Sequence, residues 1–261
     1  MVLRPIGAAE GTPASGCVPV WDAILPTQKK SAPEYWLITQ PDHAALSGAI
    51  AAALGPPLLS QLRPEVVQGI AHHDDGWAPV DAQIGLTNGR PLSFLDFQPR
   101  DFLRSWNSSI ERAEKLAPIA GAIVSRHFWR LGRNRLASGI DGAEDRKLLV
   151  DFLESELARQ QRLLDGHSRA EFEFLTDVLR FCDVLSLYLC CGATQDVEFG
   201  QSFGREPIRL RREATRSPEQ AAVCRFEPSP FTEGGVDLAV SARHFPENRQ
   251  PGSVTLPFLL F

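Results

Sequence analysis

Several things are scarce in this sequence, and each scarcity closes a class of function. No run of residues approaches the ~20 consecutive apolar positions of a membrane-spanning helix, although 43% of the 261 residues are hydrophobic. The opening Met1-Val2-Leu3-Arg4-Pro5 lacks the continuous apolar stretch of a secretory signal. Positive charge is also short: 27 Lys and Arg stand against 32 Asp and Glu, a formal charge of −5. That leaves no basic surface of the kind nucleic-acid binding leans on. Cys17, Cys182, Cys190, Cys191 and Cys224 are odd in number and form no Cys-x-x-Cys pair, which argues against a disulfide framework and a zinc knuckle and for buried reduced thiols. Internal repeats and low-complexity tracts are missing too. The expectation is a cytoplasmic protein whose partner is a small molecule, with no nucleic acid and no membrane, and with a homo-oligomer allowed.

What is present concentrates in Gly69-Ile70-Ala71-His72-His73-Asp74-Asp75-Gly76-Trp77. A helix beginning near Pro64 has an apolar stripe through Val66, Val67, Ile70 and Ala71, and the stripe continues into His73 and Asp74. Those two are expected to face the core, where a His and an Asp are costly unless paired with each other or with a cation. His72 and Asp75 fall on the wetter side, as residues supporting the inner pair or standing at its entrance. Gly76 fits a C-terminal stop. A frayed helix end with its histidines satisfied by neighbours is an equally available reading.

Further along, similar polar residues interrupt apolar faces. Residues 1–33 have little periodicity and are expected to form a flexible extension. Tyr35 to Thr39 has strand composition, and Pro41 opens a helix to Gly55 with His43 on its buried stripe beside Leu46, Ser47, Ile50 and Leu54. The stretch from Ala78 to about Arg100 is expected to be a long lid or binding loop, with Trp77 and Phe94 as apolar walls. Helices follow over 101–116, from Pro118, over 142–164 and over 170–191. The second carries His127 inward beside Ile123, Val124 and Leu131, and the last carries Asp183 within an apolar stripe. Each lone histidine is also compatible with a core imidazole bonded to a backbone carbonyl. Arg126, Arg130, Arg133 and Arg135 form a solvated face or an anion site. Strand-like runs at 222–226, 236–242 and 254–261 are expected to join Tyr35–Thr39 in a small antiparallel sheet. The fold expected is mainly α, one helical domain over 34–261 with C-terminal strands from about 220.

His43, His73 with Asp74, His127 and Asp183 thus come from four helices, a set able to hold Mn, Fe, Zn or Mg, as one ion or as two if His127 joins. In a two-ion site Asp74 is the natural bridge, and bound water becomes a nucleophile. In this order the residues resemble the HD superfamily of metal-dependent helical proteins, whose pattern is a first-helix His, a His-Asp doublet, further histidines in some branches and a late Asp. Longer phrases look like an uncharacterised bacterial family: Leu37-Ile38-Thr39-Gln40-Pro41-Asp42-His43-Ala44, Ala71-His72-His73-Asp74-Asp75-Gly76-Trp77, Gly89-Arg90-Pro91, and the run from Asp183 to Cys190.

The resemblance implies an HD-like helical bundle with a metal site, and as its leading activity the hydrolysis of a phosphoester or nucleotide. One departure bears on that activity. Many HD phosphohydrolases follow the doublet with Gly-Lys or Gly-His, whereas Trp77 follows Gly76 here, so a phosphate-holding cation has to come from Arg126, Arg130 or Arg90. HD-like branches also include di-iron oxygenases, which makes oxygenation the second enzyme class. A non-catalytic binding module with an internally paired cluster is the third reading.

Overall fold

The computed structural model describes residues 1–7, 16–56, 58–164, 166, 168–201, 203, 206–213, 221–232, 235–246 and 253–261. In chain order its elements are β1 (Val2–Ile6), β2 (Val18–Pro19), α1 (Val20–Lys29), β3 (Glu34–Ile38), α2 (Gln40–Ala53) and α3 (Pro64–Ala71). A 3-10 turn (Asp75–Trp77), α4 (Ala78–Asp81), the hairpin of β4 (Leu86–Thr87) and β5 (Arg90–Pro91), and a second 3-10 turn (Phe94–Asp96) follow. Then come α5 (Pro99–Leu116), α6 (Pro118–Ser138), α7 (Ala143–Leu163) and α8 (Arg169–Cys191). The chain ends in β6 (Val197–Glu198), β7 (Arg209–Arg212), β8 (Ala222–Glu227), β9 (Val236–Phe245) and β10 (Ser253–Leu260).

The expectation of a mainly helical, HD-like bundle with a small antiparallel sheet is overturned by a large curled sheet of eight strands, ordered β1-β3-β9-β10-β8-β7-β6-β2. It is mixed, because β10 pairs with β8 and β2 with β6 in parallel. The strands that went unread carry little alternation. β2 and β6 have two residues each, β7 is Arg-Leu-Arg-Arg with only Leu210 fully buried, and β1 contains Pro5. Proline belongs at sheet edges, and β1 is one. Pro257, inside β10, is tolerated because pairing to β8 begins only at Phe258.

The stretch read as a flexible extension also carries structure. Residues 2–6 join the sheet beside β3, and α1 packs on β1 and α8, while 8–15 lie outside the described residues. Gln28 of α1 closes the open edge of β1: its amide donates to the Leu3 carbonyl at 2.8 Å and accepts from the Leu3 N–H at 2.9 Å. A side chain thereby satisfies backbone groups that would otherwise template another strand.

α8 is the axis of the fold. Every residue from Phe181 to Cys191 is buried, as expected of a helix apolar nearly all round, and it packs against α2, α6, α1 and β1. Ser168 caps its start by accepting from Glu171 N–H, and Gly192 ends it at φ 69°. Its apolar length makes Asp183 conspicuous, for any polar group there must find its partner inside the protein.

Candidate metal centre

Small residues draw the first two contributors together. A Cβ on Gly48 of α2 would lie 2.3 Å from that of Ala71, so only glycine lets α2 approach the end of α3 this closely. α3 then stops one turn earlier than its stripe suggested. His72 leaves helical geometry at φ −116°, and His73 and Asp74 occupy the turn before Asp75–Trp77. Gly76 is not a left-handed stop but a close approach, since a Cβ there would lie 2.0 Å from the Ser105 carbonyl oxygen of α5. Its N–H donates to Ser109 Oγ at 2.9 Å. The turn is thereby clamped between α2 and α5.

Three imidazoles and two carboxylates converge from α2, this turn, α6 and α8. His43 Nε2 lies 3.3 Å from both Asp74 Oδ2 and Asp183 Oδ1. His73 Nε2 lies 3.5 and 3.6 Å from the same two atoms, and His127 Nε2 is 3.7 Å from Asp183 Oδ2. Donor atoms of His43, His73 and Asp183 all lie within 4.8 Å of one another. All five residues are buried, His73 completely.

Hydrogen bonds on the far side of two rings fix what each offers. His73 Nδ1 donates to the Ile70 carbonyl at 2.8 Å, leaving Nε2 turned to the carboxylates. His43 Nδ1 donates to Ser186 Oγ, whose own hydroxyl is directed to the Asp183 carbonyl at 3.0 Å. Ser47 Oγ lies 2.8 Å behind that hydroxyl. Ring orientation by such outer partners is usual where imidazoles bind metal. Ser47 was visible on its helical stripe, yet its partnership with Ser186 exists only once α2 meets α8.

The residues present fit a cation. His73 Nε2 is buried and has no hydrogen-bond partner among the described residues. Ligands about 2.1 Å from an ion at tetrahedral angles stand ~3.4 Å apart, which is the spacing found between these nitrogens and carboxylate oxygens. The electrostatics agree. Burial alone would push the His73 pKa down, but the charges of Asp74 and Asp183 raise it to about 9. Burial would raise the Asp183 carboxyl, and the three surrounding histidines hold it at about 2. His127 follows its burial and falls to about 4, so it is a neutral imidazole at physiological pH.

Other residues singled out in the sequence lie elsewhere. His72 is exposed and bonds to Asp75 at 2.9 Å. Arg126 and Arg130 are held by α8: Arg126 Nη2 donates to Glu173 at 2.7 Å, and Arg130 reaches Glu173 at 2.7 Å and Asp177 at 2.6 Å. Arg90 Nη2 reaches both Asp96 carboxylate oxygens, at 2.8 and 2.9 Å, and its Nη1 donates to the Gln28 carbonyl. None of the three lines the cavity beside the cluster.

That cavity, of about 190 Å³, has His43, Asp74, His127 and Asp183 in its wall. Most of the remaining wall is aromatic, from Trp77, Phe94, Phe97, Phe102, Trp106 and Phe128, with Trp21 alongside. The stretch read as an irregular lid contains α4, the short hairpin and the second 3-10 turn, and contributes Phe94, Leu95 and Phe97 to this wall. Gln40 and Arg135 also line it; Gln40 was not read as a site residue, and Arg135 was read only as one of four arginines on a solvated face or an anion site.

Fold and site together define a class of protein, a mixed α/β domain in which helices packed with a curled sheet bring three imidazoles and two carboxylates to an aromatic cavity. The chain belongs to the family described as Protein of unknown function (DUF3891), matched over residues 27–247, a span containing the whole cluster. No curated protein and no solved structure matches it. Among the described residues no helix is long and apolar enough to cross a membrane.

Proposed function

We propose that the protein is a metal-dependent hydrolase of a small phosphoester, with His43, His73, Asp74 and Asp183 holding a divalent ion, Mn, Fe, Zn or Mg. The observation that carries this reading is His73 Nε2, a fully buried nitrogen without a hydrogen bond, aimed at two carboxylates. When bound, such an ion offsets the carboxylate charge and acidifies a water molecule. Ser186 and the Ile70 carbonyl hold the two rings with Nε2 toward the site. Asp74, which lines the cavity within reach of both rings, is the carboxylate placed to accept a proton from an attacking water. The order of the donors along the chain resembles that of the HD superfamily, and the phosphoester part of the reading comes from that likeness. Arg126 and Arg130 are turned to Glu173 and Asp177 and line no part of the cavity, so either would have to move to orient the substrate. Cytoplasmic placement belongs to the same reading and is supported by the buried, unpaired Cys182, Cys190, Cys191 and Cys224.

The test is elemental analysis followed by turnover. Purified protein should carry at least one ion per chain, the loaded protein should hydrolyse p-nitrophenyl phosphate, and His73→Ala should lose both properties. A protein that binds no ion, or that stays inert toward phosphoesters with its ion restored, overturns this reading.

A second reading rests on His127. Neutral and 3.7 Å from Asp183 Oδ2, it supplies a third imidazole for a second ion, and the aromatic wall suits the apolar substrates of an oxygenase. Co-purified iron with an optical band and turnover that consumes oxygen would decide for the di-iron class.

A further inference from the structure

We infer that the substrate's non-reacting part is an uncharged apolar body of one ring carrying one hydrogen-bond donor, with the aromatic cavity enclosing the ring and Gln40 accepting from the donor. The inference deepens the metal-site reading, on which it relies for where the reacting bond lies.

Three features of the cavity converge on this class. The wall facing a ligand is chiefly Trp77, Trp106, Phe94, Phe97 and Phe128, flat faces that favour a planar, apolar guest by burial and by offset or edge-on ring contacts. Its volume is about 190 Å³, against on the order of 150 Å³ for a buried cavity that takes benzene and ~300–1,000 Å³ for pockets that hold larger ligands. One ring with a substituent fills it, and a nucleotide is too large to be enclosed by it.

Charge recognition is weak in the same place. The one cation lining the cavity among the described residues is Arg135, and one edge of its guanidinium, Nε with Nη2, already serves Asp141, at 2.7 and 2.6 Å. A nucleotide's phosphates would meet no lysine there, and a single arginine whose charge Asp141 already offsets. The polar address is Gln40 instead. Its side chain is buried, 3% exposed, lines the cavity, and its Oε1 has no hydrogen-bond partner among the described residues. Orphaned buried acceptors are rare, so this one is the group at the cavity wall that a ligand's donor would satisfy once the side chain turns toward it. Its position is fixed from behind, as Gln40 N–H donates to Asp81 Oδ2 at 2.5 Å. It opens α2 one turn before His43, so ligand anchor and imidazole share one rigid element.

Phenol, toluene and AMP are suitable probes, titrated by calorimetry and by the fluorescence of the cavity tryptophans, on both ion-loaded and chelator-stripped protein. Phenol should bind saturably, about five- to tenfold more tightly than toluene, the worth of one hydrogen bond. Gln40→Leu should erase that difference. Leu131→Trp, filling the cavity from a partly exposed position, should abolish phenol binding with melting temperature and ion content unchanged. AMP should neither bind nor displace phenol. Saturable AMP binding, no phenol binding by folded ion-loaded protein, or phenol binding indifferent to both substitutions would overturn the inference. Failure of the metal reading looks different: a protein without ion that still takes up phenol through Gln40.

Discussion

His73 Nε2 and Asp183 Oδ1 stand 3.6 Å apart, one from the turn after α3 and the other from the most buried helix of the fold. That separation is too long for a hydrogen bond, and the nitrogen has no hydrogen-bond partner among the described residues. Two groups that polar, left this close and unjoined in a dry interior, are what a cation between them would reconcile.

Removing the ion should therefore destabilise the native state. An ion bound only by folded protein adds about 2.7 kcal/mol at a hundredfold excess over its Kd, roughly 5–10 °C for a chain of this size. Differential scanning fluorimetry with and without chelator measures the shift, and His73→Ala should show none. A melting temperature unmoved by verified ion removal would end the metal reading.

The helical side of this centre was legible, while the sheet and the polar partnerships were not. Phe102, Trp106, Ile110 and Ala113 recur at helical spacing and are all buried on α5, because a long amphipathic helix repeats its signal over many turns. β7 has no such repetition, with one fully buried residue among three arginines, and its place is set by pairing with β8. The donors' order along the chain could be read because each breaks an apolar stripe. Gln40 and Ser186 could not be assigned roles in that way, since what they touch, or fail to touch, depends on helices distant in sequence. The arginine cluster shows the same limit from the other side: sequence supplies the charge of Arg126 and Arg130, and only packing reveals Glu173 and Asp177 opposite them.

The stripped protein should show a specific pH dependence. The His73 pKa is raised from 6.5 to about 9 by Asp74 and Asp183 against the pull of burial. A folded-state value above the unfolded one means stability fully present below pH 6.5 and lost as pH rises through 9. The Asp183 carboxyl is lowered from 3.8 to about 2, so its contribution is present above 3.8 and lost only as pH falls through 2. Melting curves of stripped protein should thus decline between neutral pH and pH 9. Ion binding should displace the His73 proton, so that apparent affinity rises about tenfold per pH unit below the raised pKa. Affinity flat across that window would show that His73 is not protonated in the stripped state.

His127→Ala separates one ion from two. If the second reading holds, iron-loaded protein should contain two ions per chain and the variant close to one, with the circular dichroism spectrum unchanged. Full stoichiometry in the variant would assign the protein to the one-ion class and remove the structural basis for di-iron chemistry.

Arg126 and Arg130 offer a test of where substrate is held. Because Glu173 and Asp177 occupy them, Arg130→Ala should leave KM for an aryl phosphoester within about twofold while lowering stability by about 1 kcal/mol, as for a partly exposed ion pair. A KM raised tenfold or more with stability intact would place the arginine on the substrate instead, as the sequence had led us to expect.

Ser186 is the last residue whose role the geometry makes testable. It accepts from His43 Nδ1 and directs its own hydroxyl to the Asp183 carbonyl, so a single oxygen couples the orientation of one candidate ligand to the helix bearing another. Ser186→Ala deletes that acceptor without enlarging the side chain. It leaves His43 Nδ1 to seek another bond or to switch tautomer, which would put a proton on Nε2, where the lone pair is needed. Loss of such an outer partner typically weakens metal binding by about 10–100-fold. Ser47 reaches the ring only through Ser186, at 2.8 Å, so Ser47→Ala should have the smaller effect on ion affinity although both sites are fully buried. Competition titration against a chromogenic chelator gives both constants, and melting curves of the stripped proteins give the packing contribution separately. Equal losses of ion affinity in the two variants, or a Ser186→Ala loss seen only in the melting curves, would make Ser186 a packing residue and leave the orientation of His43 to the walls around it.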